Sequence, residues 1–361
     1  MNSQISANNS VADKSVQLLV QQLTTVEGEC LIVADENWAQ ANWAAIANNK
    51  QCSISLVSNR FDIARSAGEA GLRCQFNDFD FSSLAAKSFD AVFYRVSKER
   101  ASSHHAINQA GQLLKPGGSL WLSGEKNEGI KTTVKQACAL FGDRTQAEKQ
   151  GICYRAKVQL VELQGEPLDD KQYQAIRFIE LAEGRGFYSK PGIFGWDKLD
   201  RGSAFLVDHL PQFVTRFSRQ PKSLLDLGCG YGYLACEGNR LGFTQITATD
   251  NNAAALIASE KNLSQIDNLE YSVVAADAGD QLEGGFDLLL CNPPFHQGFA
   301  VDGSLGTKFL YSANRLLAAQ GQALFVVNSF IPLEQRAKHY FRRVEVLANN
   351  GSFKLVAMDN L

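Results

Sequence analysis

One order of short apolar segments runs through this chain twice. In the second half, Ser223–Leu227, Gln245–Thr249, Tyr271–Ala275, Phe286–Cys291 and Ala323–Asn328 read as buried strands separated by helix-length stretches. Short apolar strands alternating with helices are the pattern of βαβ units in a parallel sheet covered on both faces. The first half repeats the order. Leu31-Ile32-Val33 and Ile54 stand equally far ahead of Ser223-Leu224-Leu225 and Ile246, and Phe89-Asp90 anticipates Phe286-Asp287. Leu113-Leu114 runs into Lys115-Pro116-Gly117-Gly118 as Leu316-Leu317 runs into Ala318-Ala319-Gln320-Gly321. A duplicated α/β unit accounts for this order better than two unrelated domains. The polar stretch between Glu162 and Lys190, with Gly165, Pro167 and Asp169-Asp170, marks the join. The expected domains are therefore 1–165 and 166–361.

Composition supports two real cores. Of 361 residues, 45% are hydrophobic and 20% charged, which excludes a disordered or coiled-coil chain. No apolar run approaches the roughly 20 residues that span a bilayer. Met1–Ser10 is polar and shows no secretory pattern, so a cytoplasmic protein is expected. Eight cysteines are scattered without a C-x-x-C pair, which argues for buried thiols and against a disulfide framework or a metal site. The net charge of −3 argues against a generic nucleic-acid coat; residues 1–160 nevertheless carry +2 and the remainder −5.

The chemistry concentrates in the second half. Asp226-Leu227-Gly228-Cys229-Gly230-Tyr231-Gly232 follows one apolar strand and precedes a helix-like segment from Tyr233 to Leu241. Glycines permit positive φ and close backbone approach, and a helix start offers free N–H groups. A dinucleotide fingerprint would need glycine at 233, which is Tyr233, and no Walker Gly-Lys-Ser/Thr follows. Asp226 can accept from an ammonium group or position a water. The segment resembles the D-x-G-x-G-x-G loop of S-adenosylmethionine (SAM) methyltransferases. Asp250 then falls where the ribose hydroxyls need an acceptor, and Asp277 where the adenine amino group does. In the first half, alignment on the first two strands puts Glu36, Trp38 and Gln40 in place of the glycines and Ser58 in place of Asp250. That half is expected to keep the fold without the cofactor site.

Cys291-Asn292-Pro293-Pro294-Phe295-His296 follows the fourth strand of the second unit. The prolines fix φ and stiffen the turn, so the carbonyl of Pro293 and the side chain of Asn292 can converge as two acceptors on one exocyclic NH₂. Phe295 can stack on the ring that carries the amine. This turn resembles that of amino methyltransferases acting on nucleobases or glutamine amides. With Phe194–Ser203 upstream and the degenerate first half, the chain resembles the RsmC/RlmG family of ribosomal RNA guanine-N2 methyltransferases, strongly over 190–357 and only in architecture over 1–165. The resemblance implies two tandem Rossmann-like methyltransferase domains, the N-terminal one degenerate and RNA-binding or structural. It implies SAM as cofactor and methylation of a guanine 2-amino group in ribosomal RNA, with 16S favoured over 23S.

The residues so assigned are Asn292, Pro293, Pro294 and Phe295 for catalysis, and Asp226, Gly228, Gly230, Gly232, Asp250, Asp277 and Asn292 for the cofactor. A monomer acting on ribosomal RNA or a ribosomal subunit, without metal or membrane, completes the expectation. Phe194–Ser203 is expected to fold over the cofactor pocket; Gly195-Trp196 departs from the family, where many members have Ser and a polar residue. His296 reads as a rim residue rather than a base. Arg336, Lys338, His339, Arg342, Arg343 and Lys354 form a basic segment suited to a solvated face or phosphate contact. His104-His105 is read as surface, and Trp38 and Trp43 as packing. The alternatives are a protein-glutamine methyltransferase, whose members usually carry a smaller helical N-terminal domain, a non-catalytic RNA-binding protein, and a nicotinamide dehydrogenase.

Overall fold

The structure is a computed structural model that describes residues 13–182, 185–294 and 303–360. The chain divides into two compact units, Met1–Gln174 and Ala175–Leu361. In the first, β1 (Gly28–Ala34), β2 (Cys52–Ser58), β3 (Arg73–Phe76), β4 (Phe89–Arg95), β5 (Leu114–Glu125), β6 (Glu148–Gln150) and β7 (Cys153–Gln159) form one sheet in the order β3-β2-β1-β4-β5-β7-β6. β1 to β5 pair in parallel, and β7 runs antiparallel to β5 and β6. The second unit opens with the hairpin β8 (Arg177–Ala182) and β9 (Arg185–Ser189). It then repeats the sheet with β10 (Ser223–Leu227), β11 (Gln245–Asp250), β12 (Glu270–Ala275), β13 (Phe286–Cys291), β14 (Leu317–Asn328), β15 (Arg343–Asn349) and β16 (Phe353–Asp359), in the order β12-β11-β10-β13-β14-β16-β15.

Each sheet has a core on both faces, which is why its central strands are apolar throughout rather than alternating. In unit 2, Leu225 and Leu227 pack with Phe309, Leu310 and Ala313 of helix Gly303–Leu316, while Leu224 packs with Leu206 and Leu210 of helix Arg201–Val214. In unit 1, Leu31 and Val33 share a cluster with Ile107 and Ala110, and Cys30 and Ile32 share one with Leu19 and Leu23. Trp38 and Trp43 are buried in the latter cluster and stacked with ring centroids 5.8 Å apart, as packing residues.

A carboxylate pins the start of the first strand in both units. Asp90 accepts from Glu29 N (2.8 Å), and Asp287 accepts from Lys222 N (2.8 Å) and Ser223 N (3.2 Å). These contacts and the ladders fix the internal equivalence. Cys30 faces Ala91 as Leu224 faces Leu288, and Val57 faces Val33 as Thr249 faces Leu227. The glycine equivalence read from spacing is therefore displaced by two residues. Ala34, Glu36 and Trp38 stand where Gly228, Gly230 and Gly232 stand, while Ser58 matches Asp250 as expected. The cause is the longer β1–β2 connection, which shifts β1 relative to β2. Continuing along the ladders, Asp78 occupies the place of Asp277 and Arg95 the place of Asn292.

The division between units falls nine residues beyond the expected 165/166 join, because segment 166–174 is tied to unit 1. Leu168 exchanges bonds with Asn108, the Asp169 carbonyl lies 2.7 Å from His104 Nδ1, and Asp170 lies 3.1 Å from His105 Nδ1. His104 and His105 are buried at 2% and 4% exposure, not on the surface as their polarity suggested. The segment that covers them falls, by the expected boundaries, in the second domain. Lys354 is likewise buried and paired with Glu334 at 2.6 Å, which removes it from the basic segment. Lys338, His339, Arg342 and Arg343 remain exposed.

Asp287→Ala should destabilise unit 2 by about 1–3 kcal/mol, because two strand amides lose a charged acceptor. Burial opposes the charge of this carboxylate, but the Lys222 and Ser223 amides and Arg219 hold its pKa below the ordinary value. Its contribution is thus present above about pH 4 and fades as the pH falls. Denaturant unfolding of wild type and variant between neutral and acid pH measures both effects.

Candidate active site

The expected site residues lie at the C-terminal ends of β10, β11 and β13, where the sheet order reverses and open α/β sheets bind ligands. Gly228 N and Cys229 N both donate to the Thr249 carbonyl (2.9 and 3.0 Å), folding the glycine loop over the end of β11. Gly230 N donates to Asp250 Oδ2 (3.0 Å), while Asp250 Oδ1 accepts from Asn252 N (2.9 Å). Asp250 therefore sets the loop and the start of helix Ala253–Leu263 at once; a carboxylate has further lone pairs for a ligand hydroxyl. Gly232 has φ +81°, and a Cβ there would lie 2.9 Å from Ser259 Oγ. Gly230 has φ +55°, and a Cβ would meet only Ile193 at 4.0 Å, so its Cα side faces open space.

Asp226 is fully buried. Its Oδ2 accepts from Ala235 N (3.0 Å), and its Oδ1 has no partner. Burial pushes the carboxyl up to about 7, with the Ala235 amide opposing and Asp250 adding to the rise. An orphaned buried acceptor beneath an open glycine backbone fits the ammonium end or an ordered water of a bound SAM. Asp277 lies two residues beyond β12; its amide donates to Asp280 Oδ1 (3.0 Å), and its carboxylate is ion-paired with Lys308.

Segment 187–193 covers the loop from the other side. Phe187 stacks on Tyr231 with centroids 3.9 Å apart and planes 3° from parallel, and Asn252 Nδ2 donates to the Gly192 carbonyl (2.7 Å). Farther along, Asp200 caps helix Arg201–Val214 by accepting from Ser203 N (2.8 Å). The same Asp200 Oδ1 accepts from Asn292 Nδ2 (2.7 Å), and Ser203 Oγ accepts a second bond from that nitrogen (2.9 Å). Both lie inside Phe194–Ser203, the segment expected to fold over the cofactor pocket, and neither is assigned a role of its own from sequence. An Asp-x-x-Ser helix start is visible there, but its contact with Asn292 is not. Pro293 is buried and Pro294 exposed; Phe295 and His296 lie outside the described residues.

In unit 1 the corresponding positions are filled by the chain itself. Glu36 is paired with Arg60 (2.9 Å), Trp38 is buried in the core, and Tyr173 Oη donates to Asp78 (2.7 Å) while stacking on His105. Arg95 is held by Asp13 (2.8 Å) and Glu128 (2.7 Å). Among the described residues no His, Cys, Asp and Glu group could hold a metal ion, and no helix is long and apolar enough to cross a membrane.

Two predictions follow from this geometry. Titration calorimetry on the full chain should give one SAM per chain, and two would overturn the decay of unit 1. Second, the folded-state carboxyl of Asp226 stays protonated up to about pH 7, whereas in the unfolded chain it ionises near pH 4. Stability should therefore fall as the pH rises across that window, by about 1.4 kcal/mol per pH unit at most. Asp226→Asn should flatten this slope in urea unfolding curves.

The Methyltransferase small domain family matches residues 184–357, and the Methyltransferase small domain N-terminal family matches residues 16–151. Ribosomal RNA small subunit methyltransferase C of Pseudomonas paraeruginosa is 34% identical over 276 residues, 75% of this chain and 79% of that protein. The protein of the same name from Shewanella loihica is 28% identical over 312 residues, covering 85% and 87% of the two chains. Among solved structures, the T. thermophilus 16S rRNA N2 G1207 methyltransferase in complex with AdoMet and guanosine superposes with a TM-score of 0.81 at 22% identity, over 95% of this chain and 92% of that one. That likeness establishes the fold of two tandem Rossmann-like domains. On the strength of the Pseudomonas relative in particular, the chain belongs to the ribosomal RNA small subunit methyltransferase C family.

Proposed function

We propose that this protein transfers a methyl group from SAM to the exocyclic 2-amino group of a guanine in small-subunit ribosomal RNA. The observation that carries the reading is the fixed amide of Asn292. Its two N–H groups are taken by Asp200 and Ser203, which leaves Oδ1 as the acceptor it offers to a ligand. With the carbonyl of Pro293 it can take both hydrogens of one amine, holding the nitrogen lone pair out of conjugation with the ring. The 16S assignment draws on the named activity of the relatives, and the assignment of guanine draws on the solved structure with guanosine.

The glycine loop, Asp226, Asp250 and Asp277 would hold SAM, which supplies a methyl already activated on a sulfonium. The protein's own work is alignment of the amine, since holding reactants in line is a large part of such a barrier. Asn292 Oδ1 and the Pro293 carbonyl keep the amine hydrogens in place until a proton passes to solvent after transfer, so no strong base is needed. Phe295 is assigned to stacking on the base. Unit 1, without a site of its own, is assigned to gripping RNA, and a guanine exposed in a loop or in an assembling particle spares the cost of unstacking.

Asn292→Ala should leave SAM affinity nearly unchanged while methyl transfer drops by about 10²-fold or more. Equal loss of SAM binding would show that Asn292 belongs to the cofactor site instead. The deciding assay offers labelled SAM to small subunits, large subunits, naked ribosomal RNA and a release factor in parallel. Label on guanine in small-subunit RNA is the expected result. Label on adenine, on large-subunit RNA or on the release-factor protein would refute the substrate.

A further inference from the structure

We infer that Asp200 and Ser203 are positioning residues that dictate which end of the Asn292 amide faces the target, and so restrict the site to targets that donate hydrogen bonds. The inference rests on the amino-methyltransferase reading above. A terminal amide can turn by half a revolution at little cost, exchanging a carbonyl for an NH₂. Here it cannot. Asp200 is a carboxylate that only accepts, and its Oδ1 lies 2.7 Å from Asn292 Nδ2. A turned amide would set oxygen against oxygen. Ser203 Oγ takes the second hydrogen at 2.9 Å, and Ser203 is buried at 8% exposure. The nitrogen is therefore spent, and what remains is an acceptor. An exocyclic amine meets it with a hydrogen; a ring carbonyl or bare ring nitrogen meets it with a lone pair and is turned away.

The duplicated unit supplies independent support. Asp13 caps helix Lys14–Leu23 by accepting from Val16 N (2.8 Å), as Asp200 caps its own helix by accepting from Ser203 N. Asp13 also reaches the end of the fourth strand, where Arg95 occupies the place of Asn292, at 2.8 Å. The cap-to-strand contact is thus present in both copies, while the residue it holds differs. In unit 1 that residue is a guanidinium closed off by a second carboxylate, Glu128. In unit 2 it is an amide with one face left over. The contact belongs to the architecture, and the amide is what turns it into a site.

The test separates the helix cap from the clamp. Serine is a good N-cap, but its hydroxyl sits closer to the backbone than the carboxylate and falls short of Asn292. Asparagine keeps both roles, because its carbonyl oxygen can accept from the Ser203 amide and from Asn292 together. In the full-length protein, Asp200→Ser should lower the single-turnover methylation rate of small-subunit RNA by about 10–100-fold, with unchanged SAM affinity. Asp200→Asn should restore a rate close to wild type. On an Asn292→Ala background, Asp200→Ser should cost nothing further. An unimpaired rate in Asp200→Ser, or a full multiplicative loss in the double variant, would overturn the inference. A second readout does not depend on the reaction: hydrogen exchange of the Asn292 side-chain amide, followed by NMR, should be slow in wild type and fast in Asp200→Ser. Slow exchange in both would sink the clamp even if methylation is confirmed. Protected exchange in a wild type that leaves guanine unlabelled would instead fault the substrate reading alone.

Discussion

The glycine loop, Asp250 and Asn292 hang from the parallel pairing of β10 with β11 on one side and β13 on the other. Parallel pairing delivers the C-terminal ends of all three strands to one edge. The glycine loop, Asp250 and Asn292 each leave that edge within two residues of a strand end. Register is consequently more than a folding detail here. A slip of β10 by one residue would carry Asp226 to the opposite face of the sheet and separate Gly230 from Asp250. The apolar faces that forbid such a slip, Leu224 on one side and Leu225 on the other, are therefore part of the reason the site is held in shape.

The same sheet serves two ends in one chain. Both units share strand order, a pinning aspartate at the start of the first strand and a capping aspartate that reaches the end of the fourth. They differ in what occupies the edge. In unit 2 the edge is built of backbone and small residues that leave room. In unit 1 it is built of Glu36, Trp38, Arg95 and Tyr173, whose side chains bond or pack with their neighbours. Stability comes from the faces of the sheet and chemistry from its edge, so one can be kept while the other is given up.

Much of this was legible in the sequence because it is local. Strands of apolar residues, the glycines after β10 and the prolines after β13 each announce themselves within a few positions. What was not legible depends on distance along the chain. The two-residue displacement of β1 follows from the length of a loop, which spacing alone averages over. His104 and His105 look like surface residues until segment 166–174 is known to lie across them. Lys354 looks like part of a basic run until Glu334 is brought beside it. The most consequential omission, Asp200 with Asn292, joins residues 92 apart, and no local pattern encodes such a pair.

The way in which unit 1 was filled has a historical corollary. Tyr173 enters from outside the βαβ core and bonds Asp78, the acid that unit 1 keeps in the place of Asp277. Returning a glycine for Glu36 would remove its ion pair with Arg60, and returning one for Trp38 would open a hole in a packed core. Neither step gains anything while Tyr173 still covers Asp78. Each reversal is thus a loss on its own. A copy closed in this way is more easily reshaped on its outer surface than reopened at its edge.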